Sequence, residues 1–274
     1  MLDAVAALAK CLLYGALLSA SGVPLAAALL RPSAALRDYA LRVMRIAALA
    51  AIALNLLITA LLFVRLGGGF DQPTFNALFS SGSGASLLLQ LTGAALLLTP
   101  AEDGVSGHAW RMAAALAMTA SVAFNGHAAA ISLPAGLLTM AHVTAASWWV
   151  GSLWLLRRAC VSEVGDDLVR LVTRFSSLAV RIVGGLIVAG VALIVALVNF
   201  DLSPWLTDYV RTLALKLAFA ALVLGLAIYN KLRLTPRLPR EAAVLRRSIT
   251  AEFAAIACVL LVTAVLTTYF APEL

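Results

Sequence analysis

Residues 178–200 read LAVRIVGGLIVAGVALIVALVNF. This run contains a single charged residue, Arg181, and is otherwise almost entirely apolar. A helix that crosses the hydrocarbon core of a bilayer needs about 20 consecutive, mostly apolar residues. The run therefore predicts a transmembrane helix, and the rest of the chain is interpreted with the same criterion.

Seven further runs have a similar length and character, and most of the breaks between them contain proline or glycine, which belong at helix ends. The predicted fold class is therefore all-α. We expect a polytopic membrane protein in which residues 1–274 form a single transmembrane domain, a bundle of eight transmembrane helices. The predicted spans are Ala4–Leu30, Leu41–Val64, Ser83–Thr99, Met112–Leu133, Gly136–Leu156, Leu178–Phe200, Tyr209–Leu232 and Ile249–Phe270.

The composition agrees with this class. Hydrophobic residues make up 63% of the chain and charged residues 12%, whereas soluble domains have about 45–50% and about 25%. These values exclude a soluble globular protein, a disordered chain and a nucleic-acid-binding domain. The cysteines, Cys11, Cys160 and Cys258, are far apart and form no CxxC pair, which argues against a disulfide framework and a cysteine zinc site.

Basic residues predict the orientation. The loops after predicted spans 1, 3, 5 and 7, with the adjoining span ends, hold most of the 20 lysines and arginines. The positive-inside rule places these loops in the cytoplasm and both termini in the periplasm. The outer loops are acidic. These carboxylates either attract cations to the outer face or are ordinary solvated loop charges. The outer acidic residues are Asp3, Asp71, Asp201, Asp208 and Glu273.

The chain has three histidines, His108, His127 and His142. His142 lies within predicted span 5, and an ionisable group inside a bilayer marks a candidate functional site. The alternative is a neutral histidine that shares a hydrogen bond with a neighbouring helix. Because the connector 128–135 is short, His127 and His142 should both lie in the outer half of the membrane. Two imidazoles at one site would suit copper, zinc or haem iron.

Other polar and aromatic residues in the spans are weaker candidates. Trp149 shares a helix face with His142, so Trp148 and Trp149 are either an aromatic wall beside a site or helix-packing residues. Lys216 and Glu252 are candidates for a buried ion pair or a gate, or for a purely structural role.

Soft ligands for copper are few. Met140 is two residues from His142 and points nearly the opposite way around a helix, so it is interpreted as a packing residue. Cys11 and Cys258 could reach a central site from other helices, although buried cysteine usually acts as a small apolar side chain.

Several elements, taken in order, resemble the copper resistance protein D family of CopD, PcoD and YcnJ-like membrane proteins. The resemblance covers residues 100–270 well and the first three spans only by topology. The matching elements are Asn125-Gly126-His127-Ala128, residues 142–151 (HVTAASWWVG), residues 174–179 (RFSSLA), Lys216, Asn230-Lys231-Leu232 with Pro236, Arg246-Arg247 and Glu252.

The resemblance implies a multi-pass protein of the bacterial inner (plasma) membrane that handles copper without enzymatic activity. It implies copper movement from the periplasm toward the cytoplasm, with His127 and His142 as metal ligands. The expected partners are membrane lipid and a separate periplasmic copper chaperone of the CopC type, with no nucleic acid. Two alternatives stay open: an electron carrier that binds haem b through histidines, and a docking partner of the chaperone that moves no copper.

Overall fold

The computed structural model describes residues 2–65, 72–100, 104–125, 132–163, 165–198 and 208–269. Every regular element within these ranges is helical, which confirms the all-α prediction. The α-helices are α1 (Leu2–Leu30), α2 (Ala34–Arg65), α3 (Gln72–Phe79), α4 (Gly82–Leu98), α5 (Val105–Ala120), α6 (Leu133–Ser162), α7 (Asp166–Val198), α8 (Asp208–Tyr229) and α9 (Ala242–Tyr269).

Each of the eight predicted spans overlaps one of these helices, and α3 is an additional short helix. The fourth span was predicted to run from Met112, but α5 ends at Ala120 and a 3-10 turn, Ser121–Phe124, follows it. By length and composition, five helices in the described ranges are able to cross a membrane, namely α1, α2, α7, α8 with its continuation, and α9. The pair α3 and α4, bent by 80°, would be a sixth.

Helix α1 lies at the centre of the bundle, packed against α2, α5, α6 and α9. Its crossing with α6 is unusually close, because a Cβ atom on Gly22 would lie only 1.8 Å from the backbone oxygen of Ser147. Small residues allow such close approach between membrane helices. The Ser21 hydroxyl donates a hydrogen bond to Ser147 Oγ across the same crossing (3.0 Å). This contact fixes α6, which carries the candidate residues His142, Trp148 and Trp149.

The connectors that follow α1, α4, α6 and α8 lie at one end of the bundle, which we call the basic end. The Ser33 hydroxyl donates to Glu163 Oε1 (2.7 Å), which joins the connector after α1 to the one after α6. At the opposite end, Asp3 forms an ion pair with Arg65 (2.6 Å). These contacts agree with the predicted grouping of the loops on two sides.

Helices α7 and α8 lie at the periphery. Few of their residues are buried within the chain, and apolar side chains such as Val188 and Leu222 are exposed. Such faces are typical of helices that contact lipid. At the basic end α8 continues into a π-helical turn, Asn230–Leu234, and a 3-10 turn, Thr235–Arg237. The π turn places Asn230 against α9.

Candidate functional site

His142 projects from α6 toward α7 in the half of the bundle opposite the basic end. Its Nδ1 atom lies 3.2 Å from the backbone oxygen of Leu186. A carbonyl oxygen can only accept a hydrogen bond, so Nδ1 carries the proton and donates. The other ring nitrogen, Nε2, is then the unprotonated nitrogen that can bind a metal. The imidazole is therefore held in the tautomer that a metal ligand needs.

Gly190 makes room for this imidazole on α7. A Cβ atom at residue 190 would lie 3.3 Å from Cε1 and 3.4 Å from Nδ1 of His142. Both distances are tighter than most real Cβ contacts. The glycine therefore lets the ring lie flat against the α7 backbone and reach the Leu186 carbonyl one turn away.

Lys216 of α8 lies close enough to His142 for the two side chains to interact electrostatically. Both α6 and α8 begin at the end of the bundle opposite the basic end. At 1.5 Å per residue, His142 lies about 14 Å along α6 from its start at Leu133, and Lys216 lies about 12 Å along α8 from its start at Asp208. Within the described ranges, Lys216 forms no hydrogen bond and no ion pair. Residues of α6 and α7 therefore meet at His142, and Lys216 of α8 lies at a similar depth within electrostatic range, which was not predicted from the sequence.

The predicted partner of His142 is His127, which lies outside the described residues. Its neighbour Asn125 is described and ends the 3-10 turn after α5. The Ser83 hydroxyl donates to Asn125 Oδ1 (3.2 Å), which ties this turn to the start of α4. Asn125 therefore has a local structural contact, and the ligand role of His127 stays a prediction.

Glu252 lies in a second polar site, closer to the basic end. Its side chain is only 2% exposed. The Asn230 amide donates a hydrogen bond to Glu252 Oε1, while Oε2 has no hydrogen-bond partner. The Trp149 indole lies near the same carboxyl group, short of hydrogen-bond geometry. We call Glu252, Asn230 and Trp149 the Glu252 cluster.

Of the roles considered for Lys216 and Glu252 (a buried ion pair, a gate or a structural role), the ion pair is not formed in the structure. Glu252 is bound by Asn230, which lies 14 residues beyond Lys216 along α8, or about 21 Å at 1.5 Å per residue. The two charged groups are therefore in different halves of the bundle. The sequence places both in apolar spans, but it does not show their depths relative to each other.

The two tryptophans of α6 are buried and point to different helices. Trp148 stacks on Phe175 of α7, with ring centroids 5.6 Å apart and planes 17° apart. Trp149 lies beside Glu252 of α9. Neither indole N–H has a hydrogen-bond partner. Trp148 is thus part of the α6–α7 packing, whereas Trp149 belongs to the Glu252 cluster.

The remaining candidates do not join these sites. Cys11, Cys160 and Cys258 are half-buried free thiols. Met140 is half-buried, and its backbone oxygen accepts a hydrogen bond from Thr144 (2.8 Å). In the part of the chain that the structure describes, no group of three or more histidine, cysteine, aspartate or glutamate residues is arranged to hold a metal ion.

His108 lies at the basic end, far from His142. Its side chain is exposed, and Nδ1 lies 2.6 Å from the backbone oxygen of Gly104, one turn earlier in the chain. This contact is local, within the first turn of α5. His108 is therefore separate from the His142 site.

Two family models match the chain. The model described as "Copper resistance protein D" matches residues 169–266, and "Copper resistance protein D-like, N-terminal domain" matches residues 1–137. The chain belongs to the copper resistance protein D family. No curated protein and no solved structure matches the chain closely enough to be called similar.

The family matches extend over both halves of the bundle. They include His127 in the first match and Leu186, Gly190, Lys216, Asn230 and Glu252 in the second. His142, Trp148 and Trp149 lie in the stretch between the two matches. Membership identifies the chain as a copper resistance membrane protein, and its long apolar helices agree with a multi-pass protein.

Sequence reasoning missed the residues that hold His142. The Leu186 carbonyl is a backbone group in an apolar run, and the sequence carries no sign of it. Gly190 does carry a sign, because a glycine inside a long apolar helix often marks a close approach of another group. That sign shows neither the helix that approaches nor the side chain.

Proposed function

We propose that this chain binds copper ions beside His142 and carries them across the inner membrane of a bacterium, from the periplasm toward the cytoplasm. The observation that carries the proposal is the hydrogen bond from His142 Nδ1 to the Leu186 carbonyl, which leaves Nε2 free for a metal. The choice of copper as the metal rests on membership of the copper resistance protein D family. In this proposal the chain has eight transmembrane helices, both termini lie in the periplasm, and the basic end faces the cytoplasm.

Lys216 supports transport rather than permanent storage. In its protonated form Lys216 places a positive charge near His142, which opposes a bound copper ion and lowers its affinity. An ion that is transported must bind well enough to enter and weakly enough to leave. His127 is proposed as a second ligand, and lipid and a CopC-type periplasmic chaperone are the proposed partners. No enzymatic step is part of this function.

The test compares His142→Ala and His127→Ala with His108→Ala as the matched control. We expect either of the first two substitutions to abolish copper binding by the detergent-purified protein, because each removes a proposed ligand. His108→Ala should leave binding unchanged, because His108 lies at the basic end and bonds to its own helix. Circular dichroism and gel filtration check that each variant folds.

Copper binding that survives in the double variant His127→Ala/His142→Ala would overturn the ligand assignment. The haem alternative has its own signature, an intense Soret absorption together with bound iron. Binding of the chaperone without copper flux in liposomes would instead favour the docking role.

A further inference from the structure

Glu252 is a buried carboxyl group without a cationic partner. Oε1 accepts a hydrogen bond from the neutral amide of Asn230, and Oε2 accepts none. Among the described residues, no lysine, arginine or histidine forms an ion pair or hydrogen bond with the Glu252 carboxyl group. Burying an ionised carboxylate without a paired charge is very costly, and such a group usually takes up a proton instead. The geometry therefore favours the neutral acid.

The helices around Glu252 present neutral groups to its carboxyl. Helix α9 packs against α1, α6 and α8. The side chains shown to act on Glu252 are the neutral groups of Trp149 from α6 and Asn230 from the end of α8. None of the other titratable or charged groups of these helices is shown in contact with Glu252. These groups are Asp3, Lys10, Cys11 and Tyr14 on α1, His142, Arg157, Arg158 and Cys160 on α6, Asp208, Tyr209, Arg211, Lys216 and Tyr229 on α8, and Arg246, Arg247, Cys258 and Tyr269 on α9.

A polar route leads from Glu252 toward the basic end. Ser248 lies one helical turn nearer that end on the same face of α9, and its buried hydroxyl has no hydrogen-bond partner. The Oδ1 atom of Asn230 is also buried and unpartnered. A serine hydroxyl can both donate and accept a hydrogen bond, as proton exchange requires. In the other direction, the same face of α9 continues with Ile256 and Val259, which are apolar.

A proton fits this site better than a metal ion does. Sodium, calcium and magnesium ions are hard cations that prefer a shell of several oxygen atoms, about six to eight for calcium. Here the nearby unpartnered acceptors are Oδ1 of Asn230, the residue that binds the carboxyl group, and the Ser248 hydroxyl one helical turn away. The Trp149 indole N–H, which repels cations, lies near the same carboxyl group.

We propose that Glu252 is a proton-binding site, protonated in the copper-free protein, which exchanges its proton with the solution at the basic end by way of Ser248. A further consequence rests on the proposed function. A copper ion that passes the Glu252 cluster brings positive charge, and the carboxylic acid then ionises to a carboxylate. The released proton passes through the Ser248 hydroxyl to water at the basic end, and no electron transfer is involved.

Infrared spectroscopy of the purified, copper-free protein tests the proton site directly. The chain has 13 aspartates and glutamates, and the solvent-exposed ones are ionised at pH 7. We expect a protonated-carboxyl C=O band in the wild type that disappears in Glu252→Gln. The band should remain in the control Glu163→Gln, which changes a half-buried glutamate at the basic end that is bound by the Ser33 hydroxyl.

Glu252→Gln keeps an oxygen that accepts from Asn230, so it should fold. If it does not, wild-type protein labelled with ¹³C-glutamate supplies the second measurement, because the isotope shifts a glutamic acid band. Absence of the protonated band in the wild type at pH 7, or its persistence in Glu252→Gln, would overturn the proposal. Loss of the band on adding sodium ions would also overturn it in favour of a cation site.

Proteoliposomes test the coupling separately. Copper ions added on one side should move with proton release in the wild type, while Glu252→Gln should show proton release at background level. Equal proton release per copper ion in both proteins would reject the coupling. Absence of copper flux in the wild type would reject the proposed function and the coupling together, while the infrared result decides the proton site independently.

Discussion

Substituting Gly190 with alanine disturbs His142 without touching it chemically. The added methyl group would lie 3.3 Å from Cε1 and 3.4 Å from Nδ1 of the imidazole. Because the methyl group is fixed to the α7 backbone, the imidazole has to move by a few tenths of an ångström. The movement weakens the hydrogen bond that holds the imidazole against Leu186.

The magnitude follows from that hydrogen bond. Its length of 3.2 Å already exceeds the usual value of about 2.9–3.0 Å, so a small displacement removes most of its strength. A hydrogen bond of this kind contributes about 0.5–1.5 kcal/mol. Since about 1.4 kcal/mol corresponds to a tenfold change in Kd, copper affinity should fall about two- to twelvefold.

The assay is competition for Cu(I) between the detergent-purified protein and a chromophoric chelator. Gly185→Ala is the matched control. Gly185 lies on the same helix as Gly190, and a Cβ atom added to it would meet no other group within 4 Å. Both substitutions raise helix propensity by about 0.5–1 kcal/mol, so their difference isolates the effect on His142. Equal copper affinity in the two variants would refute the role assigned to the α7 backbone.

Two further predictions concern stability. Gly22→Ala should destabilise the bundle by at least about 1–3 kcal/mol, because its methyl group would overlap the Ser147 carbonyl. The free energy of unfolding in mixed micelles measures this loss, with Gly15→Ala as the tolerated control. Equal stability of the two variants would contradict the prediction. Asp3→Asn removes the ion pair with Arg65, whose side chains are about half exposed. Its effect should stay below about 1 kcal/mol, and a larger loss in the same assay would show that this pair is more than a surface contact.

The sequence was a good guide to the helices, because the length and apolar character of a membrane helix are local properties. The runs 178–200 and 249–270 fall on α7 and α9, although these helices begin 12 and 7 residues earlier, at Asp166 and Ala242. The short helix α3 was missed, since its eight residues are too few to show a transmembrane pattern. The bend of 80° between α3 and α4 depends on contacts that the sequence does not display.

The sequence indicated individual candidate residues of the site, but not which of them contact each other. The presence of His142 and Glu252 in apolar spans marked both correctly as unusual. Their partners were not predicted, because rotation and depth of neighbouring helices decide which side chains meet. Hence an ion pair of Glu252 with Lys216 stayed open as one alternative, whereas the structure pairs Glu252 with Asn230. The neutral tautomer of His142 likewise depends on a backbone carbonyl of another helix.

The most direct measurement of the central claim is elemental analysis of copper and iron together in the detergent-purified wild type and in His142→Ala. The account predicts about one copper ion per wild-type chain after copper loading, with negligible iron, and loss of that copper in the variant. Iron at about one per chain with a Soret band, or copper that is unchanged in His142→Ala, would contradict it.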